Sequence, residues 1–220
     1  MIKKLSIFES DFVGVFIKVF NDMAFIPRNL PDETELIIKE ALNVHTERII
    51  IDNFSLIGTM LVFNSNGIVV SGLANEDNFS GVDLGGRNIT FLKDRLNAIG
   101  NNIITNDRAA FIHPSFTESS EAAIKDTLGV EVIKSPIGDV KTVGSVAVLN
   151  SNGMLVTPEA TEDEIANLKD IFHINVNTGT ANYGSIYVGA SIATNSNGII
   201  TGNATTSIEL GRIDDTLSKL

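Results

Sequence analysis

Five glycines recur at nearly even spacing: Gly14, Gly58, Gly100, Gly144 and Gly189 lie 44, 42, 44 and 45 residues apart. A period of this size marks an array of similar supersecondary units, each too small to bury its own apolar face, so the units must pack on one another. The register extends beyond the glycines. The residue before each is Val13, Ile57, Ile99, Val143 or Val188, and the third after it is Ile17, Leu61, Ile103, Ala147 or Ile192. The eleventh after it is Phe25, Val69, Phe111, Leu155 or Ile200, again apolar throughout. Three units carry Asn-Ser-Asn-Gly, ending at Gly67, Gly153 and Gly198, nine residues beyond the repeat glycine. Asn106-Asp-Arg-Ala109 and Phe20-Asn-Asp-Met23 are degraded copies of that turn.

Each unit has one grammar. An apolar strand runs from the glycine to the turn, and a second strand follows. Asn-Gly between apolar runs predicts a hairpin with a type I′ turn, positive φ at both central residues. Asp32-x-x-Glu35, Thr161-x-x-Glu164 and Thr206-x-x-Glu209 predict capping boxes opening helices over 32–42, 161–172 and 206–217. A further helix over 117–128 has Thr117 as N-cap and Gly129 past its end. In the second unit, Leu73 to Gly86 reads as a short helix or a loop, and Gly211 interrupts the last helix. Third strands are expected over 44–51, 87–92, 130–135 and 173–177. The fifth unit reaches Leu220 without one, and Lys3 to Phe8 is a spare strand that fills the vacancy. The fold class is α/β: a single domain, 1–220, of five units (about 9–52, 53–95, 96–138, 139–184, and 185–220 plus 3–8) in a pseudo-fivefold ring closed by the N-terminal strand.

Composition narrows the chemistry. With 16 Lys and Arg against 27 Asp and Glu, the net charge is −11. Such a chain does not bind nucleic acid by bulk charge, so any contact is local and a basic protein is the better partner. There is no cysteine, which removes disulfides, thiolate zinc sites and cysteine nucleophiles. Lys18 breaks the apolar run from Phe12 to Phe20, and no stretch approaches a membrane span; the expectation is a soluble cytoplasmic protein. Gly81-Val-Asp-Leu-Gly-Gly86 lacks the context of a nucleotide loop. His45, His113 and His173 are too scattered for a metal triad, and His113-Pro114 reads as a strand end with a proline stop. Asp214-Asp215 reads as an exposed helix face. The repeat glycines suit close backbone approach near the axis. The residue after each glycine varies (Val15, Thr59, Asn101, Ser145, Ala190), which makes that position the candidate binding rim.

Five segments together resemble the archaeal and eukaryotic translation initiation factor 6 family: Arg95-Leu-Asn-Ala-Ile-Gly-Asn101, Asn106-Asp with His113-Pro114, Thr142-Val-Gly-Ser145, Gly179-Thr-Ala-Asn-Tyr-Gly-Ser185, and Thr205-Thr-Ser-Ile-Glu-Leu210. They occur in the family's order and span essentially the whole chain. The resemblance implies a pentein-type fold and binding to the large ribosomal subunit at its intersubunit face. It implies contact with a ribosomal protein near the sarcin–ricin loop, with local rRNA contact, so that the small subunit cannot join. It further implies a part in large-subunit maturation, release by a translocase-like GTPase and a partner factor, and a monomer without cofactor. Arg95, opening the first of these segments, joins Asn101, Thr59, Ser145, Val15 and Ala190 as ribosome-binding candidates. The chain departs from the family at Leu73 to Gly86 and lacks the eukaryotic carboxy-terminal extension. The competing class is a guanidino-modifying pentein enzyme, whose thiolate nucleophile this chain cannot supply. A purely structural ring is the third reading.

Overall fold

The computed structural model describes residues 1–218. It contains five three-stranded sheets, one per repeat. In each, the middle strand pairs antiparallel with the strand after the repeat glycine and parallel with a third strand beyond the helix or loop. The middle strands are Met23–Pro27, Gly67–Ser71, Ala109–Ile112, Met154–Val156 and Ile199–Thr201. The fifth sheet takes its third strand from the chain's start: Ile2–Lys4 lies parallel to Ile199–Thr201, with Ile2 opposite Ile199. This strand is shorter than the expected 3–8, because Ile7 and Ser10 close a separate tight turn. The fourth unit's third strand also starts later than expected, at Val176, since the preceding helix ends on a left-handed His173.

The repeat glycines do not open strands. They sit in single helical turns such as Ile57–Met60 and Val143–Val146, and the strands begin three residues on, or four in the first unit. A Cβ on Gly58 would lie 2.0 Å from the Gly14 carbonyl oxygen, one on Gly100 2.0 Å from that of Gly58, and one on Gly144 2.3 Å from that of Gly100. Gly189 meets Gly144 at 2.1 Å, and Gly14 meets Gly189 at 2.3 Å. No side chain fits where backbone approaches backbone this closely, so every member of the series must be glycine.

The Asn-Ser-Asn-Gly segments do form hairpins, but not with the expected turn: neither Asn66 nor Gly67, nor their counterparts, has positive φ. The first asparagine builds the turn instead. Asn64 Oδ1 accepts from the Asn66 and Gly67 amides at 2.9 and 3.1 Å, an Asx arrangement repeated at Asn150 and Asn195. Its Nδ2 then donates to the last carbonyl of the next unit's helix. Asn64 reaches Leu128 O at 2.8 Å, Asn150 reaches Leu217 O at 2.9 Å, and Asn195 reaches Leu42 O at 2.7 Å. The turn glycine is needed for the same approach, since a Cβ on Gly67, Gly153 or Gly198 would lie 2.1, 2.2 or 1.9 Å from Thr127 O, Thr216 O or Ala41 O. Where the third unit has Ala109 in that place, the bond from Asn106 to Phe172 O stretches to 3.2 Å.

The helices Asp32–Leu42, Glu118–Leu128, Glu162–Phe172 and Ser207–Leu217 each cover the sheet of the preceding unit, so the apolar cores lie between units. Ile38 and Leu42 pack with Ala193 and Ile200, and Ile124 and Leu128 with Val62 and Val69. Thr161 and Thr206 make full capping boxes, and Thr117 caps Ser120 N. Asp32-x-x-Glu35 does not: Pro31 is the N-cap, and Glu35 is drawn away to Arg48, Thr46 and Lys39. In the second unit only a short 3-10 turn forms, Glu76–Phe79. Phe79, Val82 and Leu84 cover Met23 and Phe25 where a helix would otherwise lie. The first unit, whose neighbour thus offers no helix end, is also the one whose turn starts with Phe20 rather than asparagine. No helix among the described residues is long and apolar enough to cross a membrane.

Replacing Asn150 by Ala strands two turn amides in a buried site and leaves the Leu217 carbonyl to Asn152 Nδ2 alone, at 3.0 Å. The expected loss is about 2–3 kcal/mol, read from denaturant midpoints. Gly211, in contrast, has open space where its Cβ would sit, so Gly211→Ala should stabilise the protein by about 0.5–1 kcal/mol.

Candidate functional site

Because the five glycine turns touch, the loops that enter them share one end of the molecule. Four of these loops contain the consecutive positive-φ pairs that hairpin geometry demands. They are Phe8 and Glu9, Asp52 and Asn53, Gly138 and Asp139, and Asn182 and Tyr183, each flanked by an isolated antiparallel bridge. The third unit departs from this pattern. Its Lys93 to Leu96 segment has no such turn and is held by Asp94, whose carboxylate accepts from Ser120 Oγ at 2.6 Å and Leu96 N at 3.1 Å.

Left-handed backbone at non-glycine residues persists only where neighbours hold it, and in the fourth and fifth loops the helix-capping carboxylates do so. Glu209 accepts from Gly184 N at 2.7 Å, Tyr183 N at 3.2 Å and Thr206 N at 2.7 Å. Burial would raise its pKa, but the hydrogen bonds from Thr206, Gly184 and Thr180 outweigh it and hold the carboxyl below the usual range. Glu164 does the same for Gly138 N at 3.1 Å. The Asn182 side chain donates to Asp11 O at 2.7 Å, which ties the fifth loop to the first.

These loops expose large apolar side chains. Phe8, Phe12, Phe54, Leu56 and Tyr187 are 38–46% exposed and Tyr183 is 83% exposed, all in the segments entering the first, second and fifth glycine turns. The third and fourth loops carry charge instead. Lys93, Arg95 and Lys141 are exposed and form no ion pair with the described residues. A groove beside Gly72, Leu73 and Asn97 is lined by Lys93 and Arg95, with Asp94 between them turned to Ser120 and Thr117. One face therefore has an aromatic side and a basic side, on a chain of net charge −11.

The residues expected at the rim fall into two groups. Thr59 and Ser145 are turned inward, 6% and 7% exposed, and their hydroxyls donate to Leu56 O at 2.7 Å and Thr142 O at 2.6 Å. On a one-turn helix a Ser or Thr at this place bonds the carbonyl three residues back, so neither presents a free group to a partner. Val15, Asn101 and Ala190 are half-buried, and the Asn101 carboxamide is bonded to none of the described residues. Arg95 is exposed. Two residues before each glycine, Phe12, Leu56 and Tyr187 are exposed in the first, second and fifth units, while Ala98 and Thr142 are half-buried. Strand alternation hides this position in the sequence, because a helical turn forms there instead, although three large apolar residues at one register position are a visible signal. His113 belongs to the support. Its Nδ1 accepts from Ser115 N at 3.0 Å, and burial, then the Lys141 charge, push its pKa down.

Glu35, with burial opposed by Lys39, Thr46 and Arg48, is lowered to about 2, and Glu209 is lowered as well. A carboxyl depressed on folding stabilises above its unfolded value and loses that contribution as pH falls through the folded one. Stability should therefore decline from about pH 4.5 toward pH 2, and Glu209→Ala should flatten part of that slope. The same variant should raise hydrogen exchange at the Gly184 amide while the Glu164-held loop at Gly138 keeps its protection.

Comparison with other proteins agrees with this architecture along its length. The pattern of the eIF-6 family matches residues 2–216. Translation initiation factor 6 of Picrophilus torridus is 58% identical over 218 residues, covering 99% of this chain and 100% of that protein. The protein of the same name from Thermoplasma acidophilum is 51% identical over 218 residues, with the same coverage. That of Methanosarcina mazei is 35% identical over 223 residues, covering both chains completely. With a match from the N-terminal strand to the last helix and identities well above what fold alone would produce, the chain belongs to the eIF-6 family.

Proposed function

We propose that this protein acts in translation initiation as a non-enzymatic factor: it binds the large ribosomal subunit at its intersubunit face, keeps the small subunit from joining, and serves in large-subunit maturation. The observation that carries this reading is the two-sided face at the glycine-turn end. An exposed aromatic and aliphatic cluster suits a protein partner, where such side chains dominate binding energy. The adjoining Lys93, Arg95 and Lys141 suit the phosphate backbone of rRNA, and an otherwise acidic body confines nucleic-acid contact to that side. The family resemblance and the names of the relatives point the same way. A ribosomal protein beside the sarcin–ricin loop is the proposed partner, with release by a translocase-like GTPase and its partner factor. The protein works as a cytoplasmic monomer. The same reading takes the five units as one domain in a pseudo-fivefold ring closed by the N-terminal strand. Supporting it are the glycine contacts that run from Gly14 back to Gly14 and the bond from Asn195 to the first unit's helix.

Sedimentation with isolated subunits tests this directly: the protein should travel with large and not with small subunits, and added protein should suppress their joining. Binding to neither particle would overturn the proposal. Asn101→Ala should leave melting nearly unchanged, since its side-chain carboxamide bonds none of the described residues, and should weaken large-subunit binding by about 1–3 kcal/mol. Tyr187→Ala should cost about 1–2 kcal/mol of affinity. Lys93→Glu with Arg95→Glu should weaken binding and make it less salt-dependent, by about one unit of slope for each phosphate no longer neutralised.

A further inference from the structure

Lys18, which breaks the apolar run of the first unit, points inward. Its ammonium is enclosed by protein, yet the residue keeps intermediate accessibility. Both hold because it lines a cavity at the centre of the molecule, where the glycine turns and the inner strands meet. An ammonium carries three donors. Among the described residues Lys18 Nζ has a single partner, the Gly100 carbonyl at 3.4 Å, and no carboxylate. It is the only ionisable side chain in the cavity wall among the described residues.

The wall explains why nothing else neutralises it. Each inner strand, such as Lys18–Phe20 or Ala147–Leu149, is the last strand of its sheet, so one edge of each has no ladder partner. Those edges offer amide donors as well as carbonyls, and buried groups of this kind require a partner. The Thr105 and Thr194 hydroxyls in the wall already donate to backbone carbonyls. The cavity measures about 50 Å³, whereas one water needs roughly 10–15 Å³ of such space. It therefore holds a monatomic ion with a few waters and excludes a substituted phosphate. Val19, Phe20, Leu149 and Thr194 also line a second recess of about 170 Å³ at the end away from the glycine turns, where exposed Arg108 and Asp107 stand side by side at the opening, the Asp107 carboxylate bonded to Ser65.

We propose that the central cavity is a binding site for a small inorganic anion of the halide class, held by the Lys18 ammonium and admitted past Arg108. Waters alone would satisfy the donors but leave an uncompensated charge in a low-dielectric interior, whereas an anion removes that charge. Burial with no compensating group pushes the Lys18 pKa down to about 8, which still leaves the ammonium charged at neutral pH.

Bromide is the probe. Crystals of the full chain grown in bromide should show an anomalous peak within hydrogen-bonding reach of Lys18 Nζ; a cavity holding water alone overturns the site. In solution, the melting temperature should rise with bromide or chloride at constant ionic strength against gluconate, which is too large to enter, and should level off as the site fills. Melting indifferent to halide overturns the proposal even if a crystal peak is seen. Lys18→Met removes the buried charge, so it should fold in gluconate and lose the halide dependence; a retained dependence would place the anion elsewhere. Should Lys18→Met not fold, the wild-type peak and the wild-type halide dependence decide the matter together.

Discussion

The carboxamide of the first turn asparagine serves two units at once. Its oxygen holds the hairpin of its own unit, and its nitrogen closes the last turn of the next unit's helix. A helix end buried without partners is costly, so each helix finds its lowest energy only on the sheet of its predecessor. The turn glycine is the steric half of the same joint, since the helix carbonyl lies where its Cβ would be. Both exceptions follow the rule. Ala109 lengthens the bond to the fourth unit's helix, and Phe20 stands where the second unit has no helix to receive an amide.

Joining units through this contact draws the five glycine turns together, and two consequences follow. On one end the entering loops are gathered into a single face. On the inside, backbone edges and one lysine are left around a cavity that no side chain fills. The fourth and fifth loops are held in left-handed turns by Glu164 and Glu209, the carboxylates that cap the helices of those units, so helix capping also orders part of the surface proposed to bind the ribosome.

That face divides its labour by unit. Large apolar residues sit on the loops of the fifth, first and second units, and the third and fourth carry Lys93, Arg95 and Lys141. A strongly acidic protein gains specificity from such an arrangement, because the rest of its surface repels polyanions while one edge attracts them.

Much of this was legible in the residues alone. The period of about 44 residues, the N-caps at Thr117, Thr161 and Thr206, the missing third strand of the last unit and its replacement from the N-terminus depend on local pattern and on counting. The type of turn at Asn-Ser-Asn-Gly was not legible, because the asparagine is committed by a helix some 60 residues or more away in sequence. Nor was the orientation of the rim. Thr59 and Ser145 point inward because their glycines sit in helical turns crowded against neighbouring units. The sequence by itself determined the repeat, the order of elements and the family, since periodicity and capping are written in neighbouring residues. Only the tertiary structure decided which side chains face outward and which enclose Lys18, because those are settled by contacts between units far apart in the chain.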